Sequence, residues 1–285
     1  MTAPAKSMPA PARSMKVFVP GPSGPVDELA RLTSAGHEVV IGRPFDAPER
    51  RACTEGELIE ACRDADVLLA SGDESITARV LESVPRLRLV IVPFIGVDTI
   101  DVAAATRLGI LVANSPTPEN FIAVAEATIG VMLALLKRVK HNEVKLRRGE
   151  WAKREDRGEF LFGKTVGLVG LGRVGSHVAR RLVNWDVRLI ASDPYVPAER
   201  ARSLGVTLVD LGTLLAEADV VSLHAVLTDE TRLMIGEKEL HGMKRSAIFV
   251  NTARGELVDE EALARAVEGR VISGAAVDAD RKSVV

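Results

Sequence analysis

Three glycines, Gly170, Gly172 and Gly175, are spaced G-x-G-x-x-G within the stretch GKTVGLVGLGRVGSHVARRL. That spacing suits a dinucleotide pyrophosphate, provided that a strand precedes it and a helix follows. Both conditions are met, because apolar KTVGLVG leads in and Val178, Ala179, Leu182 and Val183 recur at helical spacing behind. Gly170 permits the tight turn, Gly172 lets backbone approach the phosphates, and Gly175 lets helix and strand pack closely. The helix start then offers unpaired N–H groups and a partial positive charge. Asp193 lies eighteen residues beyond Gly175, at the end of VRLIASD. There a carboxylate can accept hydrogen bonds from both ribose hydroxyls of an adenosine, whereas a 2′-phosphate would meet like charge, so NAD is expected over NADP. An aspartate that merely opens the turn before Pro194 is the alternative. A second acid, Asp278, closes the strand-like run VISGAAVD seven residues before the end of the sequence.

The elements that must position these residues alternate. KVFVP, HEVVIG, DVLLASG, LRLVIVPF and ILVAN read as strands, with helical stretches between them in the order of a five-stranded flavodoxin-like domain. NSPTPEN breaks the pattern, and one long helical stretch is expected from about Asn120 to Arg148, with a stripe of Val124, Ala127, Val131, Leu135 and Val139. The alternation then restarts with strands in KTVGLVG, VRLIAS, DVVSLH, AIFVN and VISGAAVD. Right-handed crossovers between such strands build parallel sheets. The expected fold is α/β: a disordered leader over 1–14, a flavodoxin-like substrate domain over 15–117, and a Rossmann dinucleotide-binding domain over 118–285, incomplete at its C-terminus.

Composition narrows the partners. The 285 residues are 47% hydrophobic but only 4% aromatic, as suits aliphatic strands covered by helices, and the net charge of −2 argues against nucleic acid or an anionic membrane surface. No uninterrupted apolar run reaches the roughly 18 residues of a spanning helix. Cys53 and Cys62, the only cysteines, match no metal spacing and read as reduced thiols of a cytoplasmic protein; no metal site is expected. The leader MTAPAKSMPAPARS lacks the apolar core of a secretory signal, and its prolines would break a mitochondrial presequence helix.

The run HGMKRSAIFVNTARGELVDEEALARAV, with LFGKTVGLVGLGRVG, ADVVSLHAVLTDETRLMI, IGVDTIDVAAATRLGILVAN and VAEATIGVMLALL, resembles the D-isomer-specific 2-hydroxyacid dehydrogenases. The resemblance covers nearly all of the chain from Lys16 to Asp278. It implies reduction of a small 2-oxo acid by NADH, and a homodimer formed through the second domain and the hinge helix. Arg254 matches the family's arginine, whose planar fork can hold a carboxylate through two hydrogen bonds; a surface ion pair with Asp259 or Glu260 is the alternative. Backbone N–H groups around Ile95 and Gly96 match the substrate loop, where Phe94 stands at a position often glycine in the family. The resemblance adds Arg173 and Val174 over the pyrophosphate, Ala225 near the adenosine ribose, Thr252 and Ala253 after AIFVN, and Asp278 at the nicotinamide; His224, where the family also has a histidine, is the histidine nearest to the cofactor. A turn cap is the alternative for Asp278.

The chain departs from the family pattern after Asp278. The family carries a glutamate five residues on, where Ser283 stands, and a proton-donating histidine some twenty residues later; a last helix then packs on the first domain. Losing a positioned general acid costs about a hundred- to ten-thousand-fold in rate. A catalytically impaired NAD(H)-binding protein of the corepressor type is therefore the alternative function. Apolar side chains of the first domain are expected to face water, with a loss of stability.

Overall fold

A computed structural model describes residues 13–21, 26–42, 52–72 and 74–278; the leader lies outside these but for its last two residues, as does the Ser283 position. The chain divides into two compact units, Met1–Asn120 and Phe121–Val285.

The first unit has five parallel strands, β1 (Lys16–Val19), β2 (Glu38–Ile41), β3 (Val67–Leu69), β4 (Leu89–Val92) and β5 (Leu111–Asn114), in the order β2-β1-β3-β4-β5. This is the flavodoxin-like order. Its helices are α1 (Ala30–Ser34), α2 (Glu55–Ala61), α3 (Ala78–Ser83) and α4 (Val102–Leu108). Local chemistry sets their ends. Thr54 Oγ1 accepts from Glu57 N while Glu57 Oε2 accepts from Thr54 N, a reciprocal cap on α2. Asp101 Oδ1 accepts from Ala104 N at 2.8 Å to start α4, and Gly109, at φ +70°, ends it.

The two faces of this sheet differ. Phe18, Leu68, Val90 and Val92 pack against Leu58, Val80, Leu81 and Ala104 of α2, α3 and α4, all buried. On the opposite face, among the described residues, only Val17, Val19 and Val67 are buried, and Met15, Leu32, His37, Leu69, Leu89 and Ile91 join two of them around a cavity of about 340 Å³. Leu111 is 70% exposed. Neighbours on one strand should therefore respond differently. Leu68→Ala, at a fully buried position, is expected to cost about 3 kcal/mol, and Leu69→Ala less than half of that, measured by urea unfolding of the whole chain. Equal costs would contradict the one-sided core.

The second unit has six parallel strands, β6 (Thr165–Val169), β7 (Arg188–Ser192), β8 (Thr207–Leu208), β9 (Val220–Leu223), β10 (Ile248–Asn251) and β11 (Gly274–Val277), in the order β11-β10-β9-β6-β7-β8. This is the Rossmann order. Its helices are α5 (Pro118–Leu136), α6 (Val139–Arg147), α7 (Arg173–Leu182), α8 (Ala198–Ser203), α9 (Leu211–Glu217), α10 (Glu237–His241) and α11 (Glu260–Glu268). Both faces are covered. Ala125, Ile129, Leu168, Val178 and Leu182 lie in one cluster, and Ile190, Leu214, Val221, Phe249 and Leu263 in the other.

Two expectations change. The sequence reads five strands here, and the two-residue β8 is a sixth, too short to leave a periodicity. The single helix expected over Asn120–Arg148 is two helices, because Arg138 adopts φ +54° between α5 and α6. A returning loop sets that break: Glu159 N donates to Leu136 O at 2.8 Å, and a Cβ on Gly158 would lie 2.5 Å from Lys137 Cα. The loop is anchored by buried Asp156, which accepts from Lys145 Nζ at 2.6 Å and Lys153 N at 2.7 Å and meets His141 Nε2 at 2.6 Å. Lys145 first, then the Lys153 amide and His141, hold that carboxyl far below the usual carboxylate range. Among the described residues, α5 alone is long and apolar enough to cross a membrane by length and composition. Its Ala125, Ile129, Met132 and Leu136 are nevertheless buried in the core of this unit.

Candidate dinucleotide and substrate site

In the second unit the candidate residues gather at one edge of the sheet. Gly170 follows β6, Asp193 follows β7, His224 and Ala225 follow β9, Thr252–Arg254 follow β10, and Asp278 follows β11. All are at the C-terminal ends of parallel strands, and the strand order reverses between β6 and β9. Open α/β sheets bind ligands in the crevice outside such a switch point.

The glycine loop is held there by close approach. Gly170 has φ +95°, and a Cβ on it would lie 2.8 Å from the carbonyl carbon and oxygen of His224. A Cβ on Gly175 would lie 2.3 Å from Gly170 O. Only hydrogen fits at either place. Gly170 N donates to Ser192 O at 2.9 Å and His224 N to Val169 O at 2.7 Å, so β7 and β9 clamp the turn from both sides. Gly172 differs, since a Cβ there would meet nothing within 4 Å. It is exposed at the start of α7, which has no side-chain cap. Arg173 lies over the Phe121 ring, 5.0 Å from its centroid, and Val174 is half-buried. An open cradle at an uncapped helix start fits a pyrophosphate.

Asp193 does two things at once. Its Oδ1 accepts from Tyr195 N at 2.9 Å and Val196 N at 3.2 Å, which is the turn-opening role. Its Oδ2 accepts from Leu171 N at 2.8 Å, which ties the acid to the glycine loop. A carboxylate offers about four acceptor positions, so a ribose hydroxyl can still be received.

The turn after β10 is built by a residue to which the sequence reading assigned no role. Asn251 is fully buried; its Nδ2 donates to Arg254 O at 2.8 Å and its Oδ1 accepts from Ala253 N at 3.0 Å. Thr252 Oγ1 lies 2.7 Å from Thr128 Oγ1 of α5, both buried. Arg254 is half-buried, with Nη1 donating to Ala253 O at 2.8 Å, while Asp259 caps α11 through Ala262 N. An asparagine closing a strand before a turn was the available signal. Asp278 N donates to Asn251 O at 2.9 Å, and its side chain is exposed.

In the first unit, Ile95 and Gly96 lie just beyond β4. Asn114 Nδ2 donates to Ile95 O at 2.7 Å, and Ser115 N donates to Phe94 O at 3.1 Å, which fixes this loop to the end of β5. The five histidines have local partners or neighbours. His37 accepts from Met15 N, His141 meets Asp156, and His177 lies beside Arg181. His241 meets Glu237 O, and Ser222 Oγ lies 2.9 Å from His224 Nε2. Cys62 is inert as a nucleophile, its thiol pushed up to about 12 mainly by burial.

These features define a Rossmann-type dinucleotide-binding unit joined to a flavodoxin-like one. Residues 129–282 match the family described as D-isomer specific 2-hydroxyacid dehydrogenase, NAD binding domain. The chain belongs to this family and carries its NAD-binding domain. It is 43% identical over 226 residues to a D-3-phosphoglycerate dehydrogenase of Methanocaldococcus jannaschii, covering 79% of this chain and 43% of that one. It is 38% identical over 250 residues to a glyoxylate reductase of Thermofilum pendens, covering 85% and 71%. The D-lactate dehydrogenase of Aquifex aeolicus, solved with NAD and lactic acid, superposes with a TM-score of 0.79 at 30% identity, covering 94% and 77%. The chain spans somewhat under half the length of the phosphoglycerate dehydrogenases that it matches.

Burial pushes the His224 imidazole from 6.5 down to about 4. Between those values the unfolded chain binds a proton that the folded chain refuses, so stability falls as pH drops from 6.5 towards 4. His224→Gln should flatten that fall. Urea midpoints at pH 7 and pH 5 should differ less for the variant than for the parent chain, and an unchanged slope would refute the buried neutral imidazole.

Proposed function

We propose that the chain forms the cofactor- and substrate-binding scaffold of an NAD-dependent 2-hydroxyacid dehydrogenase, interconverting a small 2-hydroxy acid and its 2-oxo acid. The observation that carries this reading is the hydrogen-only packing of Gly170 and Gly175 beside the open Gly172, with Asp193 bonded to the same loop. In this reading Gly170, Gly172, Arg173, Val174 and Gly175 hold the pyrophosphate, with the α7 amides directed at it. Asp193 receives the adenosine ribose, with His224 and Ala225 beside it, and disfavours a 2′-phosphate. Thr252, Ala253 and Asp278 serve the nicotinamide end. When bound, NADH would supply a hydride to the substrate carbon and NAD would accept one in the reverse direction, with one proton taken up or released. Arg254 takes the substrate carboxylate and polarises the carbonyl, and the amides of Ile95 and Gly96 orient the acid. The Asn251 clamp supports the Arg254 role by fixing the backbone from which that side chain projects.

Fluorescence titration and NADH oxidation with glyoxylate or hydroxypyruvate test the reading. Expected are saturable NADH binding and NADPH binding at least about ten-fold weaker. Arg254→Lys is expected to lower kcat/KM roughly ten- to a hundred-fold, the worth of a charged hydrogen bond. No NADH binding would overturn the reading, and equal affinity for NADPH would remove Asp193 from it.

The same proposal includes a homodimer through the second unit. Its support is a set of exposed apolar side chains on α6 and the following loop, where Leu146 is 59%, Trp151 84%, Phe160 73% and Phe162 70% exposed. Large apolar side chains concentrated on one exposed segment suit an interaction site. Sedimentation should give twice the chain mass, and Trp151→Glu should shift it to the monomer; a parent chain sedimenting as a monomer would defeat the assignment.

A further inference from the structure

The arginine of the glycine loop is met by a ring from another element. Phe121 stands in the first turn of α5 and is buried, yet it belongs to neither apolar cluster of this unit. Its cover includes a cation. The Arg173 guanidinium lies over the ring, 5.0 Å from its centroid, within the reach of a cation–π contact.

Arg173 is itself exposed at the first position of α7, and among the described residues no carboxylate pairs with it. Arg181, eight residues further along the same helix, shows the other arrangement, with Nη2 donating to Glu126 Oε1 of α5 at 2.9 Å. An exposed arginine without a counter-ion keeps several rotamers open, and ordering it has an entropic cost. Here the ring gives the guanidinium a favoured place, on the residue adjacent to the open Gly172, and its charge stays available to an anion.

The ring can act in this way because α5 is fastened to the same sheet edge. Thr128, seven residues beyond Phe121, lies on the same face of α5. Its hydroxyl donates to Val124 O at 2.7 Å, so its one proton is committed, and it accepts from Thr252 Oγ1, 2.7 Å away in the turn after β10. With the Glu126–Arg181 pair, this bond fixes α5 to both α7 and the β10 turn.

We propose that Phe121 is a positioning residue for the dinucleotide: its ring holds the Arg173 guanidinium in place before the pyrophosphate arrives, so that less side-chain freedom is lost on binding. The inference rests on the NAD reading above and deepens it, because Phe121 lies outside both the glycine motif and the matched residues 129–282.

A double-mutant cycle on the full chain, read by fluorescence titration with NADH, tests it. Phe121→Leu should raise the NADH dissociation constant about three- to ten-fold, the range expected when one rotamer-rich side chain must be ordered on binding. In an Arg173→Met background the same substitution should change it less than about two-fold, the ordinary scatter of uncoupled pairs. Phe121→Met, which fills the space without a ring, repeats the measurement with a more adaptable side chain, and circular dichroism of each variant should match the parent. An unchanged dissociation constant in both ring-less variants, or an equal loss with and without Arg173, would overturn the inference while the parent chain still binds NADH. Failure of the parent chain to bind NADH would instead sink the dinucleotide reading, and this inference with it.

Discussion

The second unit depends on a place where two backbones come closer than any side chain allows. Gly170 lies against the His224 peptide and Gly175 against the Gly170 carbonyl, so β6, β9 and the start of α7 converge on one point. The convergence exists because β6 and β9 are neighbours although five elements, α7, β7, α8, β8 and α9, separate them in sequence order, which is what the reversal of strand order produces. A methyl group at either glycine would push strand and helix apart and move the helix start away from the crevice. The candidate cofactor site and the packing of β6 on β9 are therefore one constraint.

Buried polar side chains carry that constraint outward. Asn251 pays for its complete burial by bonding both ends of the following turn, and Asp193 bridges the glycine loop and the next turn. Leaving any of these groups unbonded would cost about 1–3 kcal/mol, so the loops settle into the conformations that satisfy them. Loop residues thereby gain the fixed directions that recognition needs. Asn114 applies the same device in the first unit, where its amide holds the Ile95 carbonyl.

What the sequence made legible follows from how local each signal is. Strand and helix alternation is written in neighbouring residues, and the parallel pairing of both sheets follows from it through the handedness of crossovers. The glycine spacing and Asp193 were equally readable. The break at Arg138 was not, since the apolar stripe continues into Val139 while the cause is Gly158, twenty residues later. β8 holds two residues and has no periodicity to show. Asn251 stood within a motif that was noticed, but its role needs the path of the turn, which composition does not specify. The close approach of Gly72, at φ +97°, to the Phe94 ring joins two loops that the β3–β4 pairing brings together.

The two units also differ in how their sheets are stabilised, and that difference bears on function. β6, β7, β9 and β10 are buried on both faces, so the sheet edge that carries the glycine loop rests on a core that gives little when a ligand arrives. Among the described residues, the first sheet is firmly packed towards α2, α3 and α4, while its other face has three buried residues and a cavity. Local opening free energies follow buried apolar contact, so segments resting on that thin face open at lower cost than those on the thick one. The Phe94–Gly96 loop takes its support from β3, β4 and β5, whose packed face includes Leu68, Val90 and Val92. That loop is thus built on the packed side of the sheet, and a disturbance of the other face reaches it only by moving strands that the packed face already fixes.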